Sequence, residues 1–114
     1  MLKCINLKEN SATVDYALAV IEIEIEGAKR EGVIAIKVLH GYGSHGKGGA
    51  IALELRKQLR LWKNSGLIVD YFGGDNWNMF DKKTLKILDL DKSIYNDEYM
   101  NKSNPGIKII QVNK

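Results

Sequence analysis

The sequence predicts an α/β fold: a βαβαβ(α)β sandwich of two or three layers around a four-stranded, mostly parallel or mixed sheet. Residues 33–39 form a nearly continuous β-branched, apolar run, which is typical of a strand covered on both faces. This run lies between two segments with helical apolar spacing, at 14–31 and from about residue 50 to 63. Alternation of strands and helices of this kind indicates crossover helices packed on a sheet.

The first strand and the first helix follow from local patterns. Residues 4–7, after Leu2 and Lys3, alternate as a short strand. Residues 21–26 also alternate, but apolar residues recur at helical spacing over more than four turns, and this longer pattern favours a helix. Ser11 or Thr13 would cap that helix, Gly32 would end it, and Ile23 would be exposed or face a neighbouring element.

The second half of the chain completes the element order. Residues 64–66 end the second helix, and residues 67–72 form the third strand. Asp81 would cap a short helix that runs to about residue 90, with Leu85 and Leu88 facing inward. Residues 92–104 are predicted to be a surface loop, and a turn at 104–106 precedes a closing strand at 107–112.

Length and composition indicate one domain, 1–114, with a net charge of +3 and 45% hydrophobic residues. The single Cys4 excludes an internal disulfide and a Cys-based zinc site, so a reducing, cytoplasmic setting is expected. No basic-then-apolar leader and no apolar run near 18 residues occurs, so we expect neither secretion nor a membrane span.

Residues 40–49 are the most distinctive stretch, with five of the eleven glycines and both histidines. A glycine-rich loop between a strand and a helix N-terminus favours anion binding, because backbone amides can approach a ligand closely there. The spacing does not fit the P-loop or dinucleotide fingerprints. From Lys47 to Lys63, five basic residues face one acid, Glu54, so the basic excess is concentrated behind the loop.

The loop resembles that of the small MutS-related (Smr) domain, whose His-Gly-x-Gly motif is matched by His40, Gly41 and Gly43. The upstream helix, the apolar strand and the late Asn-Pro-Gly-Ile segment at 104–107 also fit. The resemblance implies a fold related to the C-terminal domain of translation initiation factor 3. It also implies DNA or RNA binding, a role in DNA repair or recombination and, in several members, nicking endonuclease activity.

One departure from that family concerns its first motif, Leu-Asp-x-His-Gly, where this chain has Asn6, Lys8 and Glu9 in place of the Asp, His and Gly. Asn6 cannot act as a general base or an anionic metal ligand, and charged Lys8 cannot accept a proton. The departure argues against nuclease chemistry through that motif, whereas Lys8 suits a phosphate contact.

The leading hypothesis is a nucleic-acid-binding protein that holds the phosphate backbone with little sequence preference. Tyr42 would stack on a base, while His40 would either contact phosphate or hold the loop through its backbone. The predicted binding residues are Lys8, His40, Gly41, Tyr42, Gly43, His45, Lys47, Gly48, Gly49, Arg56, Lys57 and Arg60.

Two alternatives remain open. A nicking endonuclease would use His40 as acid or base with help from Glu9, and a divalent metal would then be possible. Otherwise we expect no cofactor and no metal site, because His40 and His45 lack carboxylate or Cys support. A protein-interaction module would use the acidic face of the first helix, with Glu22, Glu24 and Glu26. The oligomeric state is open.

Overall fold

A computed structural model of the protein describes residues 2–7, 13–41 and 47–114, with the side chains of the last range described from residue 49. The strands and helices, in chain order, are β1 (Leu2–Asn6), α1 (Val14–Glu31), β2 (Ala35–Leu39), α2 (Lys47–Ser65), β3 (Asp70–Gly73), α3 (Lys82–Leu90) and β4 (Ile107–Gln111). Short 3₁₀ turns lie at Gly74–Asn76 and Lys92–Asn96.

The four strands form one mixed sheet in the order β1-β2-β4-β3. β1 and β2 pair in parallel, and β4 pairs antiparallel with both β2 and β3. The predicted α/β fold with a four-stranded mixed sheet is therefore confirmed, but the antiparallel closing strand lies inside the sheet. As a result, the carboxyl ends of β1, β2 and β3 lie beside the start of β4, along one edge that we call the carboxyl edge.

The sheet is covered on both faces, so the fold has three layers. Alternate residues of β2 divide between the faces: Ile36 and Val38 pack toward α1 and α2, whereas Ala35 and Leu39 pack toward α3. The β2 residues are all buried, as their continuous apolar pattern predicts.

Helix α1 resolves the conflict between the two sequence patterns. Ala17, Ile21, Ile25 and Ala28 are buried, whereas Ile23 is 67% exposed. The Thr13 hydroxyl accepts from the Tyr16 amide at 3.2 Å and caps the helix start, and Gly32 ends the helix with φ 75°. The predicted helix, its cap and its exposed isoleucine are all confirmed.

Several boundaries differ from the prediction because tertiary packing decides them. α2 starts about three residues early, at Lys47, and β3 starts at Asp70 rather than residue 67. The expectation that Leu85 faces inward is wrong: it is 43% exposed, and Thr84, Ile87 and Leu88 form the buried stripe of α3. Asp81 does cap α3, by accepting from the Lys83 and Thr84 amides.

The segment 92–104 is mostly exposed, as its polarity predicts, but two of its residues are buried. Ile94 and Met100 pack into the core under α3, beside the fully buried Trp77. A buried ion pair between Lys37 of β2 and Asp97 ties this segment to the sheet. None of the helices within the described ranges is long and apolar enough to span a membrane.

Candidate functional site

The carboxyl edge is held together by backbone hydrogen bonds between the end of β2 and the turn before β4. The amides of His40 and Gly41 both donate to the Gly106 carbonyl, at 2.9 and 3.0 Å. The Gly106 amide donates in turn to the Asn104 side-chain oxygen at 2.8 Å. Gly41 takes φ 80°, a conformation that glycine adopts without steric cost. The base of the glycine-rich loop is therefore fixed against the 104–106 turn.

Gly74 brings the end of β3 into the same contact. A Cβ atom at this position would lie 2.1 Å from the Asn104 carbonyl oxygen and 2.2 Å from Cγ1 of Ile107. These distances are far below van der Waals contact, so only glycine fits between the two segments. Three separate chain segments thus converge at the carboxyl edge, which is a common position for binding sites in open α/β sheets.

His40 is almost completely enclosed at this edge, with 4% of its surface exposed. Its Nδ1 lies 2.8 Å from the Gly41 carbonyl oxygen, and since that oxygen can only accept, the ring proton lies on Nδ1. Burial lowers the pKa of His40, the bond to Gly41 opposes this, and the charge of Lys108 lowers it further. The ring is neutral near pH 7, and its Nδ1 donates to the backbone at the base of the loop.

The other ring nitrogen of His40 is unusual. Nε2 is buried and has no hydrogen-bond partner within the described residues. In this tautomer Nε2 carries a lone pair and can only accept a hydrogen bond. A buried acceptor without a donor costs free energy. The backbone of Ile107 also acts on the ring and, like that of Gly41, opposes the lowering of its pKa.

Lys108 supplies a positive charge at the carboxyl edge that sequence reasoning missed. It lies on β4 opposite Val38 and Gly73 and is 9% exposed. Burial and the nearby charge of Arg56 lower the pKa of Lys108, and Asp75 partly opposes them. In the described part of the chain no carboxylate lies within ion-pair distance of its ammonium group. The signal in the sequence was a lysine among the isoleucines of the closing strand.

The basic residues of α2 divide into different environments. Arg56 is exposed and close enough to Lys108 to influence its pKa, and Arg60, one turn further along, is also exposed. Lys57 points about 100° away from Arg56 around the helix and pairs with Glu54 at 3.4 Å. Lys63 is held by Asp70 at 3.1 Å. The free cationic charge therefore lies on the Arg56 side of the helix.

The remaining predicted site residues are placed as follows. Gly48 and Gly49 lie in the first turn of α2, which begins at Lys47 and carries no acidic residue. Asn6 ends β1 at the carboxyl edge. The residues that lie outside the described ranges are Lys8, Glu9, Tyr42, Gly43 and His45. Within those ranges no group of three or more His, Cys, Asp or Glu side chains is arranged to hold a metal ion.

The whole chain can be compared with known proteins at this point. No protein-family model matches the sequence, and no curated protein matches it. Among solved structures, the crystal structure of the Smr domain of Thermus thermophilus MutS2 superposes with a TM-score of 0.61 at 18% identity. The match covers 98% of this chain and 99% of that domain. The chain therefore has an Smr-like fold, as its His-Gly-x-Gly loop and its element order predict.

Proposed function

We propose that this protein binds the phosphate backbone of DNA or RNA at the carboxyl edge, with little sequence preference. The observation that carries the proposal is Lys108, a largely buried ammonium group beside Arg56, with no carboxylate partner in the described residues. Two cations whose charge Asp75 only partly offsets are costly to hold together unless a further anion joins them. A phosphate group would offset that cost and accept hydrogen bonds from both.

The start of α2 also suits a phosphate. The amides in the first turn of α2 lack intrahelical partners, and the helix dipole favours negative charge there. Gly73, opposite Lys108 on β3, has no side chain, and the Asp75 carboxylate lies over this glycine, where its charge only partly offsets that of Lys108. The resemblance to the Smr family, which is associated with nucleic acids, points to a polymeric phosphate rather than a free ion. Contacts to phosphate carry no base information, so we expect broad sequence tolerance.

The binding role can be tested by fluorescence anisotropy with labelled single-stranded and duplex DNA and RNA. Lys108→Gln and Arg56→Gln should each weaken binding about tenfold or more, because a hydrogen bond to a charged group contributes about 1.5–3 kcal/mol. Lys57→Gln is the matched control on α2, because Lys57 already pairs with Glu54. Lys114→Gln is the control beyond the other end of β4. Equal loss in all four variants, or no binding by the native protein, would contradict the proposal.

The endonuclease alternative rests on His40, since its neutral ring leaves Nε2 unprotonated, as a general base requires. Binding without cleavage is favoured because Nε2 is buried and the acid of the family's first motif is replaced by Asn6. Relaxation of supercoiled plasmid, with and without Mg²⁺, compares the native protein with His40→Gln. Nicking by the native protein that His40→Gln abolishes would establish the alternative.

A further inference from the structure

A second surface of the molecule has no part in the proposed nucleic-acid contact. An open groove of about 790 Å³ runs beside α3, with a floor formed by Met79, Leu85, Leu88 and Tyr95. Leu85 is 43% exposed there, and the neighbouring Phe80 is almost fully exposed. Single exposed apolar residues are common on protein surfaces, but several gathered in one groove mark an interaction surface.

The rim of this groove is basic. Lys82, Lys86 and Lys92 line it, against a single acid, Asp89. None of these three lysines has an ion-pair or side-chain hydrogen-bond partner within the described ranges. The groove therefore suits a partner that inserts apolar side chains and presents carboxylates beside them.

Helix α1, on the opposite side of the sheet, presents exposed apolar side chains flanked by carboxylates. Tyr16 and Ile23 are exposed and seven residues apart, so they lie on one face about 10 Å apart along the axis. Asp15, Glu22 and Glu26 follow one flank of this face, and no ion partner of theirs lies in the described residues. Glu24 is on the other flank, where it pairs with Lys3 at 2.9 Å.

We propose that the α1 face of one copy of this chain docks into the α3 groove of a second copy. Ile23 and Tyr16 would pack on the groove floor around Leu85, and the acidic flank of α1 would pair with the lysine rim. The groove is long enough for both apolar side chains of α1. The nine-residue α3 beside it extends about 13 Å, and Tyr16 and Ile23 are about 10 Å apart along α1. Insertion of residues at i and i+7 of an amphipathic helix into a groove is a recurring mode of recognition.

The two surfaces cannot meet within one molecule, because α1 and α3 cover opposite faces of the sheet. The interface is therefore heterologous: each copy offers one helix face and one groove, and association can continue head to tail. It also depends on charge, so it should weaken as salt screens the carboxylate–lysine attraction.

Sedimentation velocity of the full chain at increasing concentration tests the proposal. At low salt the average mass should rise above the monomer value of 12.8 kDa, and high salt should lower it again. Ile23→Gln removes the helix anchor and Leu85→Gln removes the groove floor, so each should weaken association at least tenfold. Leu61→Gln is the control, because Leu61 is equally exposed but lies on α2.

A mixture of the two variants gives the sharpest result. Ile23→Gln keeps an intact groove and Leu85→Gln keeps an intact α1 face, so together they should form one discrete species of twice the monomer mass. A native protein that stays monomeric at all concentrations would overturn the proposal, as would a mixture that forms no such species. If the native protein stays monomeric and Leu85→Gln instead weakens oligonucleotide binding, the groove is a nucleic-acid surface and the proposal is wrong.

Discussion

Replacing Asp97 by asparagine removes the counter-charge of Lys37, whose side chain is only 4% exposed. In the native protein one Asp97 oxygen pairs with Lys37, and the other accepts from Trp77 Nε1 at 2.9 Å. Asparagine can keep its oxygen toward Trp77, but its NH2 group then faces the Lys37 ammonium, so the change removes both the charge and the hydrogen bond to Lys37. Breaking a buried pair from one side costs about 3–5 kcal/mol, a large part of the roughly 5–15 kcal/mol by which a domain is stable.

Urea unfolding followed by tryptophan fluorescence measures this loss. With an m-value of about 2 kcal/mol/M, a loss of 3–5 kcal/mol lowers the unfolding midpoint by roughly 1.5–2.5 M. Glu98→Gln is the matched control: its carboxylate lies 3.9 Å from the Lys37 ammonium but is 75% exposed, so we expect less than about 1 kcal/mol.

A second variant separates the buried charge from local packing. Lys37→Met combined with Asp97→Asn leaves no unpaired buried charge and should regain part of the lost stability. The reasoning is refuted if Asp97→Asn and Glu98→Gln have the same unfolding midpoint, or if the double variant is less stable than Asp97→Asn alone.

Three other predictions concern the site and its support. Gly74→Ala should lower the melting temperature strongly, because the new Cβ would overlap the Asn104 carbonyl oxygen, whereas Gly27→Ala on α1 should raise stability by about 0.5–1 kcal/mol. Since burial lowers the folded-state pKa of His40, its contribution to stability is present above the unfolded value near 6.5 and is lost as pH falls toward the folded value. Urea titrations between pH 5 and 8 should show this slope in the native protein and a weaker one in His40→Gln; parallel profiles would contradict it. Lys108→Gln should weaken oligonucleotide binding while its far-UV circular dichroism spectrum stays native, because the Lys108 side chain makes no hydrogen bond or ion pair within the described residues.

Local patterns in the sequence were sufficient for the elements that make their own contacts. The helical spacing of the buried α1 residues, and the caps Thr13 and Gly32, all lie within 20 consecutive residues. The apolar run of β2 likewise requires cover on both faces, and the structure supplies it. The glycine-rich stretch predicted a site at the end of a central strand, and the proposed phosphate contact lies at that edge of the sheet.

The features that the sequence did not predict depend on residues far apart in the chain. Insertion of β4 between β2 and β3 is a property of the assembled sheet, and it brings Lys108 close enough to Arg56 for the two charges to interact. Lys37 and Asp97 are separated by 60 positions, so neither residue by itself indicates a buried pair. Most residues in 92–104 are polar, so the sequence did not indicate that Ile94 and Met100 are buried.

The central claim is that Lys108 and Arg56 hold phosphate at the carboxyl edge, and the salt dependence of duplex DNA binding tests it most directly. Each neutralised phosphate contributes about 0.9 to the slope of log K against log salt concentration. The double variant Lys108→Gln/Arg56→Gln should therefore lower the slope by about 0.9, because the two cations share one phosphate, whereas Lys57→Gln/Lys114→Gln, with the same charge change, should lower it much less. Equal slopes for the native protein and the Lys108→Gln/Arg56→Gln variant would contradict the account.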